Sequence, residues 1–237
     1  MDLERFQTGS LLHWVCLGVC LAAFLAVALS ARWLRSLPSR GRARFRTAIV
    51  VGCLGSWLVT ILFGLDPRVF RWDFSLPLQF CNLANLFGAV AVGRQGRLSQ
   101  AILYFWSIVL CSWAFLTPVL YVGPAHLWFW IFWIYHLFIP IALAWVLLVD
   151  GFRPNWLDLR NSLAVTLGFL IVLSILNAIT GWNYGFLGPG KPGAATPLDL
   201  LGPYPLRIVW MTLIGSLFFL LVLLPWVVRR PKSSVDS

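Results

Sequence analysis

The sequence predicts an all-α fold, a polytopic integral membrane protein built as a bundle of seven transmembrane helices, and three observations carry that expectation. Of 237 residues, 60% are hydrophobic and only 11% are charged, whereas a soluble domain is roughly 25% charged. The apolar residues gather into runs near the ~20 residues that a helix needs to cross a bilayer. The net charge of +10 sits in short clusters between those runs, a pattern that sets topology rather than one that binds nucleic acid.

The spans are expected at about residues 10–31, 46–65, 77–93, 98–121, 127–149, 161–180 and 205–228. Together they make residues 1–237 a single transmembrane helical domain with no room for a separate globular one. The third run is short and interrupted by Asn82 and Asn85, so a six-helix reading with this segment re-entrant stays open. Thirteen of the 18 basic residues, from Arg32, Arg35, Arg40, Arg42, Arg44 and Arg46 to Arg229, Arg230 and Lys232, then fall on one side. Arg5, Arg68, Arg71, Lys191 and Arg207 fall on the other. The positive-inside rule puts the N-terminus outside and the C-terminus in the cytoplasm. Ala26-Val27-Ala28 resembles a processing site, but Asp2 and Glu4 precede it where a secretory leader would be positive. The first helix is therefore expected to stay as an anchor.

Polar side chains inside hydrocarbon are costly unless they meet a partner or a wet cavity, so they mark candidate sites. Gln79, Cys81, Asn82 and Asn85 occupy the outer half of the third span, the last three within an arc of about 100° on one face. Tyr135 and His136 reach a similar depth in the fifth span, and Asn177 does so in the sixth. The connection over residues 181–204, with Asn183 and Tyr184, is long, rich in Gly and Pro and poor in charge. It reads equally as a packed lid or as a plain connector with interfacial aromatics. Pro140 cannot donate to the His136 carbonyl and should kink the fifth helix.

Several chemistries are set aside. Lys191 and Lys232 lie outside the spans, so a retinal Schiff base has no lysine. The spans hold no carboxylate for a proton relay. His13, His126 and His136 stand on different segments without ligand spacing, and the five cysteines form no CxxC pair, so no metal or other cofactor is expected. Cys81 with His136 remains, a thiol and a base that Asn82, Asn85 or Asn177 could orient, as in Cys-His-Asn enzymes. The same residues also fit buried packing and helix–helix hydrogen bonds. In the competing class, a non-catalytic transporter or lipid-binding module, Asn82, Asn85, Asn177 and Tyr184 bind the ligand and Cys81 is replaceable.

The segment Leu76-Pro77-Leu78-Gln79-Phe80-Cys81-Asn82, the mid-helix His136, and Asn177 followed by Asn183-Tyr184-Gly185-Phe186-Leu187 with Pro192 resemble the YwaF-type bacterial integral membrane proteins. That family is similar to eukaryotic transmembrane protein 164. The resemblance covers nearly the whole chain, and Gln79 stands where many members carry His. It implies a multi-pass protein of the bacterial plasma membrane with membrane lipids as partners. It further implies a lipid acyltransferase or related acyl hydrolase with Cys81 as nucleophile and His136 as base.

Overall fold

The computed structural model describes residues 3–189 and 197–228. It is all-helical: among the described residues the sole β feature is an isolated antiparallel bridge between Arg5 and Val122. Six helices are long and apolar enough to cross a membrane: α1 (Leu11–Ser36), α2 (Ser39–Gly64), α4 (Arg97–Leu116), α5 (Leu127–Val149), α6 (Trp156–Thr180) and α7 (Leu206–Val228). Between α2 and α4 lies the shorter α3 (Phe80–Arg94), whose 15 residues rise roughly 22 Å, less than the ~30 Å hydrocarbon core.

Helix α3 sits in the centre, packed on α2, α4 and α5. Its composition allows this, because Ala84, Gly88, Ala89, Ala91 and Val92 are small enough for backbones to close in. A Cβ on Gly88 would lie 3.3 Å from that of Ala142 on α5. Burial then falls outward: 61% of the apolar window is buried in α4 and in α5, against 11% in α1 and in α7. The outer two helices present their Leu, Val and Trp side chains to whatever surrounds the bundle.

Ion pairs and caps fix one end of the bundle. Arg46 of α2 and Gln95 after α3 both donate to Asp150 Oδ1 at the end of α5, at 2.6 and 2.9 Å. Arg97 grips Asp158 through Nε and Nη2 at 2.9 and 2.6 Å, and Asp158 with Asn155 forms the capping box that starts α6. Burial raises the Asp150 carboxyl above the ordinary carboxylate range against the pull of Arg46. At the opposite end, Gly64 closes α2 against the Ser75 backbone. The N-terminal segment there pairs with residues 121–125 through Phe6 N–H to Tyr121 O and Gly123 N–H to Glu4 O.

The helix limits depart from the expected spans for local reasons. Helix α3 starts at Phe80 rather than Pro77, because Leu78 turns back onto the Leu76 carbonyl and Gln79 is extended. Helix α4 ends at Leu116 rather than near 121, since Pro118 drives Thr117 out of the helical region. Helices α1 and α2 run on through the basic residues, leaving Leu37 and Pro38 as their linker. Two irregularities matter below: a π-helical turn over Trp106–Leu110 in α4 and another over Trp145–Val149 in α5. The expectations that rested on Lys191, Pro192, Arg229, Arg230 and Lys232 lie outside the described residues.

Candidate functional site

A cavity of about 580 Å³ runs into the bundle from the end opposite the Arg46–Asp150 pair, within the range that holds small-molecule ligands. Its mouth is polar, with Arg71, Asp73, Ser75 and Asn183. Arg71 Nη2 pairs with Asp73 at 2.6 Å, and this hydrogen bond holds the Asp73 carboxyl below its ordinary range. The side walls are mostly apolar, drawn from α4 and α7, and the floor carries Cys81, Asn82, Tyr135 and His136.

Each floor residue is placed by a separate local device. Cys81 is the second residue of α3, so it stands at the helix start, where backbone N–H groups point toward the cavity end. His136 is buried on α5, and its Nδ1 lies 2.7 Å from the Phe132 carbonyl. A carbonyl only accepts, so Nδ1 carries the proton and Nε2 of the neutral ring is the free acceptor. The π-helical turn of α4 closes with Cys111 N–H on the Trp106 carbonyl at 2.8 Å, which swings Cys111 inward. The side chains of Cys111, His136 and Tyr135 then stand close enough to Cys81 to act on its thiol. Cys111 is fully buried and Cys81 half-buried, and of the two only Cys81 lines the cavity.

The Asn-Tyr-Gly segment after α6 acts as a clip over this opening. Asn177 donates from Nδ2 to the Tyr184 carbonyl at 2.8 Å and accepts from the Tyr184 N–H at 3.0 Å. The Tyr184 hydroxyl donates to the Trp72 carbonyl at 2.7 Å and accepts from the Leu76 N–H at 3.0 Å. Burial raises this phenol above its ordinary value, so it keeps the proton it donates. Gln79 accepts from the Gly185 N–H at 3.1 Å. Gly185 has φ +64°, and a Cβ on Gly188 would fall 1.7 Å from the Trp182 carbonyl, so glycine is required at both. Arg207 completes the clip by donating to the Gly188 carbonyl.

Of the residues singled out in the sequence, Gln79, Cys81, Asn82, Tyr135, His136 and Asn183 line the cavity. Asn85, Asn177 and Tyr184 are buried behind it; Asn85 donates to the Tyr135 carbonyl at 2.9 Å and so ties α3 to α5. None of the three asparagines orients His136; the Phe132 carbonyl does. Cys111 beside Cys81 and the Arg71–Asp73 pair at the mouth carry no mark in the sequence pattern. No spacing rule ties Cys111 to Cys81, 30 residues apart on different helices, and only the π-helical turn brings them together. The other two histidines are engaged elsewhere. His13 accepts from Gly9 N–H and meets the Phe115 carbonyl, while His126 meets Glu4 at 3.0 Å.

The family model described as the TMEM164 family matches residues 8–223. No curated protein and no solved structure matches the chain.

Proposed function

The chain belongs to the TMEM164 family and is a multi-pass integral membrane protein in contact with lipid, and from that premise we propose that its cavity carries out lipid acyl transfer on Cys81. The observation that supports this most directly is the meeting of Cys81 and His136, from two helices, at the floor of a cavity with a polar mouth and apolar walls. Such a cavity suits an amphiphile, headgroup at the mouth and acyl ester at the thiol.

The topology follows the same proposal. Helix α3 and the turns of residues 65–79 before it lead from the Gly64 end of α2 to the Arg46–Asp150 end, so seven passages are counted, in one transmembrane domain over the whole chain. The arginine-rich end is cytoplasmic by the positive-inside rule, the N-terminus is outside, and the cavity opens outward.

In the reaction, His136 Nε2 takes the Cys81 proton, and the sulfur attacks the ester carbonyl of a donor lipid. That sulfur stands at the start of α3, the positive end of the helix dipole. Asn82 and the Tyr135 hydroxyl, which line the cavity with Cys81, would donate to the carbonyl oxygen as it becomes an oxyanion. The C–O bond breaks, His136 returns the proton to the leaving lysolipid oxygen, and a thioester remains on Cys81. A hydroxyl of a second lipid, deprotonated by His136, then attacks the thioester and restores the thiol. Water in that second step makes the enzyme a hydrolase.

Reconstitution in liposomes with an acyl-labelled phospholipid and an unlabelled lysolipid tests this reading. Label should move to the lysolipid with the wild type and not with Cys81→Ala. A second reading, a lipid-binding or transport module, is favoured by Gln79, Asn82 and Asn183 among the residues that line the cavity. It gains if Cys81→Ser keeps full activity in cells while Asn82→Ala loses it.

A further inference from the structure

Helices α4 and α7 are joined near the Arg46–Asp150 end and part toward the other. Tyr104 donates to the Val222 carbonyl at 2.7 Å and accepts from Trp226 Nε1 at 2.8 Å, and Phe105 stacks on Phe219 with centroids 5.0 Å apart. Beyond that seam the same two helices become walls of the cavity, with Leu110 and Trp113 on α4, Thr117 just past its end, and Met211, Ile214 and Phe218 on α7. Trp113, Ile214 and Phe218 line the interior and are also 43%, 37% and 40% exposed. These side chains leave the wall between the two helices partly uncovered, and outside it, at this level of two membrane-spanning helices, lies lipid hydrocarbon.

A second, smaller cleft of about 50 Å³ continues from the cavity between α6 and α7 and shares Phe80, Leu110, Met211 and Gly215 with it. Two of its three hydroxyls are already used: Thr166 donates to Ser162 O and accepts from Trp106 Nε1, and Thr212 donates to Ile208 O, which leaves Ser216. What the cleft offers is apolar surface. Gly215 stands at the junction, and a Cβ built there meets nothing within 4 Å.

We propose that the α4–α7 slot is the port through which the acyl chain of a membrane lipid enters sideways from the bilayer, and that Gly215 sets how long a chain fits. This rests on the cavity being a lipid site, but not on Cys81 reacting. The slot gives a two-chain lipid a path in which its headgroup stays at the polar mouth. The bare Gly215 backbone leaves the smaller cleft open to the chain end.

The test uses full-length protein in liposomes, in a Cys81→Ala background, with phospholipids carrying a photoactivatable group at the end of a short or a long acyl chain. Crosslinks should fall on α4 and α7 peptides of the slot. Gly215→Leu should cut the long-chain yield relative to the short-chain yield by about tenfold, the scale on which an apolar pocket discriminates methylenes. Gly168→Leu, on α6 where a Cβ also meets nothing, should leave the ratio unchanged. Met211→Ala widens the junction and should raise the long-chain share, which keeps the test alive should Gly215→Leu not fold. Slot crosslinks in a protein whose wild type forms no acyl adduct would uphold the port and end the acyl-transfer reading. Crosslinks confined to the outer faces of α1 and α7, or a ratio indifferent to both variants, would overturn the port.

Discussion

His136 holds its Nδ1 proton against the Phe132 carbonyl 2.7 Å away, one helical turn back on α5, and so presents Nε2 as a base. The ring is buried against Phe115, Phe132 and Tyr135, so its replacement is read on rate with the fold checked alongside. His136→Gln is expected to slow acylation of Cys81 by about 10²- to 10⁴-fold, the usual worth of a general base. Rapid-quench labelling checks the rate, and an unchanged thermal melt in detergent checks the fold.

Tyr184→Phe should loosen the clip. The variant leaves the Leu76 N–H and the Trp72 carbonyl without their partner, a cost of about 1–3 kcal/mol. A lower melting temperature and faster proteolysis within residues 181–189 are expected. Asn177→Ala, which frees both backbone groups of Tyr184, should act in the same direction and more strongly.

Asp150 gives a pH dependence whose sign can be worked out. Burial raises its folded-state value, so the folded state favours the protonated form. The stability this contributes is present below the unfolded value and is lost as pH rises through the folded one. Asp150→Asn should remove that slope while keeping an acceptor for Arg46 and Gln95, and should melt no lower than wild type at neutral pH. Asp150→Ala removes the acceptor and should lose about 1–3 kcal/mol. Melts across the acidic range separate the two.

The topology is tested by reporter fusions after Arg44, Gly96, Asn155 and Val228, all expected to report cytoplasm, and after Gly190, expected not to. A cytoplasmic signal at Gly190 would reverse the orientation and place the cavity mouth on the inner face.

Much of this architecture is legible in the chain. Apolar run lengths locate the helices, because hydrocarbon thickness imposes them, and the polar residues inside those runs point to the cavity floor, because desolvation makes them rare. What is not legible depends on backbone irregularity and on distance in space. Cys111 reads as one more apolar-run cysteine until the π-helical turn over Trp106–Leu110 brings it to Cys81. The partner of His136 is a backbone carbonyl, which every residue carries, so no side-chain pattern could name it. Asn177 and Tyr184 stand out as polar residues near the site, yet their hydrogen bonds go to backbone of the clip and of residues 72–76, a role that only the folded chain reveals. Gln79 accepts from the Gly185 N–H and so belongs to the clip as well as to the cavity.

The central claim is that Cys81, and not the buried Cys111 beside it, is the sulfur that carries the acyl group. It is tested by incubating purified, folded protein with a labelled phospholipid and locating the adduct by peptide mass spectrometry before and after hydroxylamine. A hydroxylamine-sensitive thioester is expected on the peptide containing Cys81, absent in Cys81→Ala and retained, with slower formation, in Cys111→Ala. An adduct on Cys111, or none on any cysteine across phospholipid classes, would contradict it.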